Sequence, residues 1–184
     1  MAGRYHQLAA WVQQQGWTRG AELGLFDGRT FLHLLKTCPG LSLIGVDVWD
    51  LPGFAEGPTK SGEKCFCPYC NETRASRRGK TIREHEAFVR ESAKGYPNAR
   101  ILKMATTDAA RLIDDGALDY VFIDADHSTE GVSADIANWR GKLRGGGFLI
   151  GHDWNMASVR AGVLQHFKAG QVKTADDHLW YVTC

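Results

Sequence analysis

Two short runs concentrate the reactive side chains of this chain: Asp119-Tyr-Val-Phe-Ile-Asp-Ala-Asp-His127 and Gly145-Gly-Gly-Phe-Leu-Ile-Gly-His-Asp153. Each is apolar and rich in β-branched or aromatic residues, and each ends in acids and a histidine. Carboxylates and imidazoles at such ends can hold a cation, take a proton or cap the next helix. Buried parallel strands read as continuous apolar runs, and ligands of open α/β sheets collect beyond their carboxyl ends. Two neighbouring strands of this kind would bring Asp124, Asp126, His127, His152 and Asp153 to one rim. The plainer reading has the acids capping helices. The set as a whole favours a site, and for Asp126 the capping role weighs as much as cation contact.

The glycines upstream indicate what else that rim holds. Gly20-Ala-Glu-Leu-Gly-Leu-Phe-Asp-Gly28 follows a short predicted strand and opens the helical run Thr30-Phe-Leu-His-Leu-Leu35. Gly24 and Gly28 allow a tight turn and a close approach of backbone to ligand. Leu41-Ser-Leu-Ile-Gly-Val-Asp47 is a second strand ending in an acid. An acid there can accept hydrogen bonds from the two hydroxyls of a ribose. The glycine spacing is not G-x-G-x-x-G, which disfavours a dinucleotide site.

Glu22-Leu-Gly-Leu-Phe-Asp-Gly28 resembles the first motif of class I S-adenosylmethionine-dependent methyltransferases, closest to the catechol and caffeoyl-CoA types of O-methyltransferase. Phe122 to Val132, Asp135-Ile-Ala-Asn-Trp139, Leu143 to Trp154 and the closing His178-Leu-Trp-Tyr-Val182 resemble the small bacterial methyltransferases of that group. The resemblance covers about 20–50 and 98–184. It implies an α/β, Rossmann-like fold with a mostly parallel seven-stranded sheet and helices on both faces. It implies an enzyme that uses S-adenosylmethionine, with a small-molecule hydroxyl as acceptor and a divalent cation such as magnesium assisting. Glu22, Gly24, Gly28, Asp47, Thr107 and Asp108 fall where the cofactor would lie. Trp49, two residues past Asp47, either stacks on the adenine or belongs to the core. Asp124 and Asp153 fall at the metal positions, and His127 where caffeoyl-CoA-type enzymes carry a lysine thought to act as base. Trp154 stands where those enzymes place an asparagine ligand, so the third donor falls to His152 or Asn155. A histidine donor shifts the preference toward manganese, iron or zinc. Catalysis by His127 or His152 without metal is the other reading.

The elements that must position these residues alternate. Strands are predicted near 18–23, 41–47, 100–104, 118–123, 146–151 and 178–183. Helices are predicted near 5–15, 28–37, 81–95, 107–115, 130–141 and 156–169. Alternation of this kind implies a mostly parallel sheet, and 184 residues suit a single domain, 1–184. An insertion at about 50–80 breaks the pattern. It holds Cys65-Phe-Cys-Pro-Tyr-Cys70, three of the five cysteines. C-x-C-x2-C spacing lets Cys65, Cys67 and Cys70 converge on a structural zinc, with His85 as the nearest fourth ligand and Cys38, Cys184 or Glu63 as others. Reduced cysteines in a substrate-covering loop are the more economical reading, and oxidising conditions would allow a disulfide. The adjacent Arg74-Ala-Ser-Arg-Arg-Gly-Lys80 suits a solvated face, or an anionic substrate.

Net charge is +1, so no overall field draws the chain to nucleic acid or a membrane surface. No apolar run reaches spanning length, and the first residues lack the apolar core of an export signal. A cytoplasmic enzyme with a small-molecule acceptor is expected. A homo-oligomer is compatible with the sequence without being required by it. Two other classes compete. One is an interaction module that retains only cofactor binding. The other is a nucleic-acid methyltransferase, disfavoured because Asp124-Ala-Asp-His127 stands where the exocyclic-amine enzymes need Asn/Asp-Pro-Pro-aromatic.

Overall fold

The computed structural model describes residues 3–50 and 82–184. Its helices are α1 (Arg4–Gln15), α2 (Arg29–Thr37), α3 (Ile82–Ala93), α4 (Thr106–Ala110), α5 (Thr129–Trp139) and α6 (Ala157–Leu164). Its strands are β1 (Arg19–Leu23), β2 (Ser42–Asp47), β3 (Ala99–Lys103), β4 (Leu118–Ile123), β5 (Leu143–Gly151), β6 (Lys173–Thr174) and β7 (Trp180–Thr183). The strands form one seven-stranded sheet in the order β3-β2-β1-β4-β5-β7-β6. β3, β2, β1, β4 and β5 pair in parallel, and β7 runs antiparallel to both β5 and β6. This is the expected mostly parallel α/β fold.

Both faces of the sheet are buried, which explains the continuous apolar runs Tyr120–Ile123 of β4 and Phe148–Ile150 of β5. Successive side chains of a strand point to opposite faces. Tyr120 and Phe122 of β4 accordingly join Leu8, Phe31, Leu34 and Leu35 under α1 and α2. Val121 and Ile123 join Val132, Ile136 and Trp139 of α5 on the other face. Phe31, Leu34 and Ile136 are fully buried, and truncating any of them to alanine should cost about 2–5 kcal/mol.

The strand order reverses at β1, which lies between β2 and β4. A crevice forms at such a reversal, outside the carboxyl ends of the strands. Main-chain bonds carry the alignment one step past the strands. Gly24 N–H donates to Val46 O (2.9 Å), Asp124 N–H to Leu23 O (2.8 Å) and His152 N–H to Ile123 O (3.1 Å). Residues 22–24, 47, 124 and 152–153 therefore share one rim.

Two helix ends, the start of β5 (Leu143 rather than 146) and one short strand differ from the expected ones. α4 ends at Ala110 rather than near 115: the next bonds tighten to i→i−3, with the amides of Arg111, Leu112 and Ile113 donating to the carbonyls of Asp108, Ala109 and Ala110, and left-handed Gly116, φ 70°, turns the chain toward β4. α6 ends at Leu164 rather than 169, and the following turn delivers the buried Phe167 to the core. β6 has no counterpart in the sequence reading, since two residues carry no period. Among the described residues no helix is long and apolar enough to cross a membrane.

Candidate functional site

The glycine loop joins β1 to α2. Gly24 has φ +88°, and a Cβ there would overlap the main-chain carbonyl of Asp124. Gly28 begins α2 at φ +70°, where a Cβ would meet Val89 Cγ2 at 2.5 Å. Asp47 closes the loop from the side. Its Oδ2 accepts the amides of Leu25 and Phe26, both at 2.8 Å, and its Oδ1 accepts that of Trp49 at 2.7 Å. The acid expected to take ribose hydroxyls is thus also the anchor of the loop that would lie under them. Trp49 is a core residue. It is 4% exposed, and its indole donates to Phe26 O at 2.9 Å.

Glu22 ends beneath this loop, 2% exposed, with Oε2 buried and no hydrogen-bond partner among the described residues. Burial, then the charge of Asp124, raises its pKa well above the usual carboxylate range, against the pull of Arg4. A buried carboxyl with a free oxygen suits a cationic partner. The methionine end of S-adenosylmethionine offers one, so the residues present fit that cofactor. Thr107 and Asp108 lie in α4, which begins three residues beyond Lys103, the register partner of Asp47. Asp108 pairs with Arg111 at 2.9 Å on the surface.

The acids and histidines converge beyond β4 and β5. His127 Nε2 lies 2.9 Å from Asp153 Oδ2 and 3.4 Å from Asp124 Oδ1. His152 Nδ1 lies 3.1 Å from Asp153 Oδ1 and 3.6 Å from Asp124 Oδ1. Adjacent side chains of an extended strand diverge. Asp153 is left-handed, φ 58°, and that turn brings it back beside its neighbour. One donor atom each from Asp124, His152 and Asp153 can be chosen within 4.8 Å of one another. Opposite oxygens of an octahedral cation stand about 4 Å apart, given bonds near 2.1 Å. Small rotations would close the three on one ion, so the donor set fits a divalent cation.

Charge also draws these groups together. Hydrogen bonds to Asp124 and then Asp153 raise the His127 imidazole to about 10, burial opposing. Burial lowers His152, but the same two acids outweigh it and raise it to about 9. Burial would raise Asp124 and Asp153. For Asp124 the Arg4 charge and both imidazoles reverse this, and for Asp153 the two imidazoles do, so both acids are held below the usual range. In this arrangement both histidines are cations.

The remaining candidates divide. Asp126 caps: its carboxylate accepts Ser128 N–H at 2.9 Å and Ser128 O–H at 2.8 Å, and Ser128 Oγ in turn accepts Gly131 N–H. Trp154 packs toward Trp180, its amide bonded to His178 O at 3.0 Å. Asn155 is exposed, and it is His152 that clusters with the acids. His85 is buried, its ring 4.8 Å from that of Phe26. Cys65, Cys67, Cys70 and Glu63, and with them the zinc expectation, lie outside the described residues. Cys38 is buried against Ala9 O.

Sequence reasoning missed Arg4. It saw only a covering helix at 5–15, yet Arg4 Nη2 reaches Asp124 Oδ2 at 3.0 Å. It also missed Asp177, whose carboxylate accepts the Arg4 amide at 2.6 Å. No local pattern marks either residue.

Residues 21–154 match the family model described as "Methyltransferase domain". No curated protein matches the chain by sequence. Among solved structures, the O-methyltransferase from Bacillus cereus in complex with SAH is similar, with 14% identity and TM-score 0.61, covering 98% of this chain and 80% of that one. The SAH-bound methyltransferase PaMTH1 of Podospora anserina gives 13% identity and TM-score 0.60, covering 99% and 79%. CalS11, a TDP-rhamnose 3'-O-methyltransferase of calicheamicin biosynthesis, gives 10% identity and TM-score 0.62, covering 98% and 80%. At these identities the likeness is one of fold.

Proposed function

We infer the reaction from the premise that the chain belongs to the methyltransferase-domain family: it methylates a hydroxyl group of a small molecule, using S-adenosylmethionine and a divalent cation. The observation that carries this reading is the juxtaposition of two half-sites across β1 and β4. One is the glycine loop with Glu22, whose buried Oε2 has no hydrogen-bond partner among the described residues. The other is the cluster of Asp124, His127, His152 and Asp153.

Methyl transfer from a sulfonium is an in-line displacement, so the protein must chiefly hold two reactants in line. Glu22 would face the methionine end of the cofactor, Gly24 and Gly28 would let it lie against backbone, and Asp47 would hold the loop and the ribose. Thr107 and Asp108 would border the adenine. Asp124, Asp153 and His152 would hold the cation, which when bound lowers the pKa of an acceptor hydroxyl. Among these acids alone His127 is a cation. A divalent cation drawing on Asp124 and Asp153 would remove that support and lower its pKa, and the neutral imidazole would then be placed to receive the hydroxyl proton. Its position at the mouth of the cluster, 38% exposed at the side chain, suits a group that must meet the acceptor and then release a proton to water.

Calorimetry with S-adenosylhomocysteine, followed by mass spectrometry of catechols and sugar-like alcohols incubated with S-adenosylmethionine and manganese, tests this. Saturable binding and a gain of one methyl on a hydroxyl are expected. Absence of any binding heat at millimolar ligand would remove the cofactor reading.

A further inference from the structure

Asp124 has two oxygens, and the fold gives them different neighbours. Oδ1 faces the cluster, 3.4 Å from His127 Nε2 and 3.6 Å from His152 Nδ1. Oδ2 faces away, 3.0 Å from Arg4 Nη2. Arg4 is the first residue of α1, and the start of that helix is tied down because the Arg4 amide donates to Asp177 Oδ2 at 2.6 Å. The Arg4 charge is drawn by Asp124, Glu22, Asp153 and Asp177 together. Its Nε is buried without a hydrogen-bond partner among the described residues, so the field of these acids, more than a full set of hydrogen bonds, holds the guanidinium there.

We propose that Arg4 is a positioning residue of the cation site: it occupies the outer oxygen of Asp124, so that the carboxylate offers a cation only its inner oxygen, and its charge sets how weakly that cation is held. The proposal rests on the reading of Asp124, His152 and Asp153 as cation ligands. Two effects of removing Arg4 have the same sign. Asp124 becomes free to turn and chelate through both oxygens. A positive charge within a few ångströms of the cation disappears, in surroundings that screen it less than water does. Each tightens cation binding. A helix that only covered the core would have neither effect, and its loosening would blur the site and weaken binding.

The measurement is manganese affinity of the whole chain, without cofactor or acceptor, from the free-ion paramagnetic resonance signal. R4M keeps most of the aliphatic stem and removes the charge, while R4K keeps the charge. The manganese Kd of R4M is expected to fall at least about tenfold, and that of R4K to stay within about threefold of the unmodified protein. Binding by R4M where the unmodified protein shows none would also support the proposal. Circular dichroism checks folding, and R4Q replaces R4M in the same comparison if R4M does not fold. A neutral variant that binds manganese no more tightly than the unmodified protein overturns the role of Arg4 and leaves the cation site standing. No saturable binding by any of the proteins overturns the cation site itself, and the proposal with it.

Discussion

Asp135 is a buried acid away from the candidate site. It is 3% exposed on α5, and Thr106 O–H donates to it at 2.5 Å. Burial is the largest influence; Asp126 adds to it and the Thr106 hydrogen bond opposes, leaving the carboxyl raised to about 6. The unfolded chain releases that proton near pH 4. Asp135 therefore favours the folded state most fully below pH 4, and that contribution is lost as pH rises through 6. Asp135→Asn keeps an acceptor for Thr106 and carries no charge. Urea unfolding should find it more stable than the unmodified protein by about 1–3 kcal/mol at pH 7.5 and nearly equal at pH 4. Equal stabilities at both pH values would sink this account. His127→Ala tests the proposed proton acceptor. Turnover should fall roughly 10²–10⁴-fold while S-adenosylhomocysteine affinity holds. At this scale the sequence showed what lay at the ends of apolar runs. Asp124, His127, His152 and Asp153 could be read because the strand period ends where they begin. Arg4 could not, because its meaning comes from an acid most of the chain away, and Asp135 could not, because it looks like any polar helical residue.

The elements succeed or fail by their terminal residues. Ser128 caps α5, accepting the Gly131 amide at 3.0 Å, and Asp126 braces it. Ser128→Ala should lower stability by about 1 kcal/mol, read as a shift of the denaturant midpoint at constant slope. No shift would mean that Asp126 alone satisfies the turn. Gly24 is the stricter case. Its φ of +88° and its contact with the Asp124 carbonyl leave a side chain no room, so Gly24→Ala should cost about 2 kcal/mol or more. β2, β4 and β5 were legible as apolar runs bounded by turns, and α2 as an apolar stripe behind a glycine. β6 was not, because it exists only by pairing with β7. The end of α4 was misread because Leu112 continues the apolar pattern although it is 52% exposed.

For the molecule as a whole, a ligand that binds only the folded state stabilises it in proportion to its occupancy. S-adenosylhomocysteine at 100 times its Kd should add about 2.7 kcal/mol, visible as a raised Tm. Asp47→Ala should lose about 1–3 kcal/mol of that affinity, since the loop loses its anchor and the ribose its acceptor. An unchanged affinity would confine Asp47 to the loop. The chain order of the elements, and hence which ends face one crevice, followed from the alternation of strands and helices. The side of the sheet that α1 covers, and the arrival of its first residue at that crevice, did not, because a covering helix can lie on either face. Gly24 has a last implication. Its α-carbon rests on the carbonyl of the residue that would hold the cation, so a single thickness of main chain separates donor and acceptor halves. A ligand that settles the glycine loop must also settle Asp124, and the two occupancies are linked. Manganese should shift the Kd of S-adenosylhomocysteine, and S-adenosylhomocysteine the Kd of manganese, by one common factor different from unity, as thermodynamic reciprocity demands. A factor of one would mean that the two halves share a wall and exchange nothing through it.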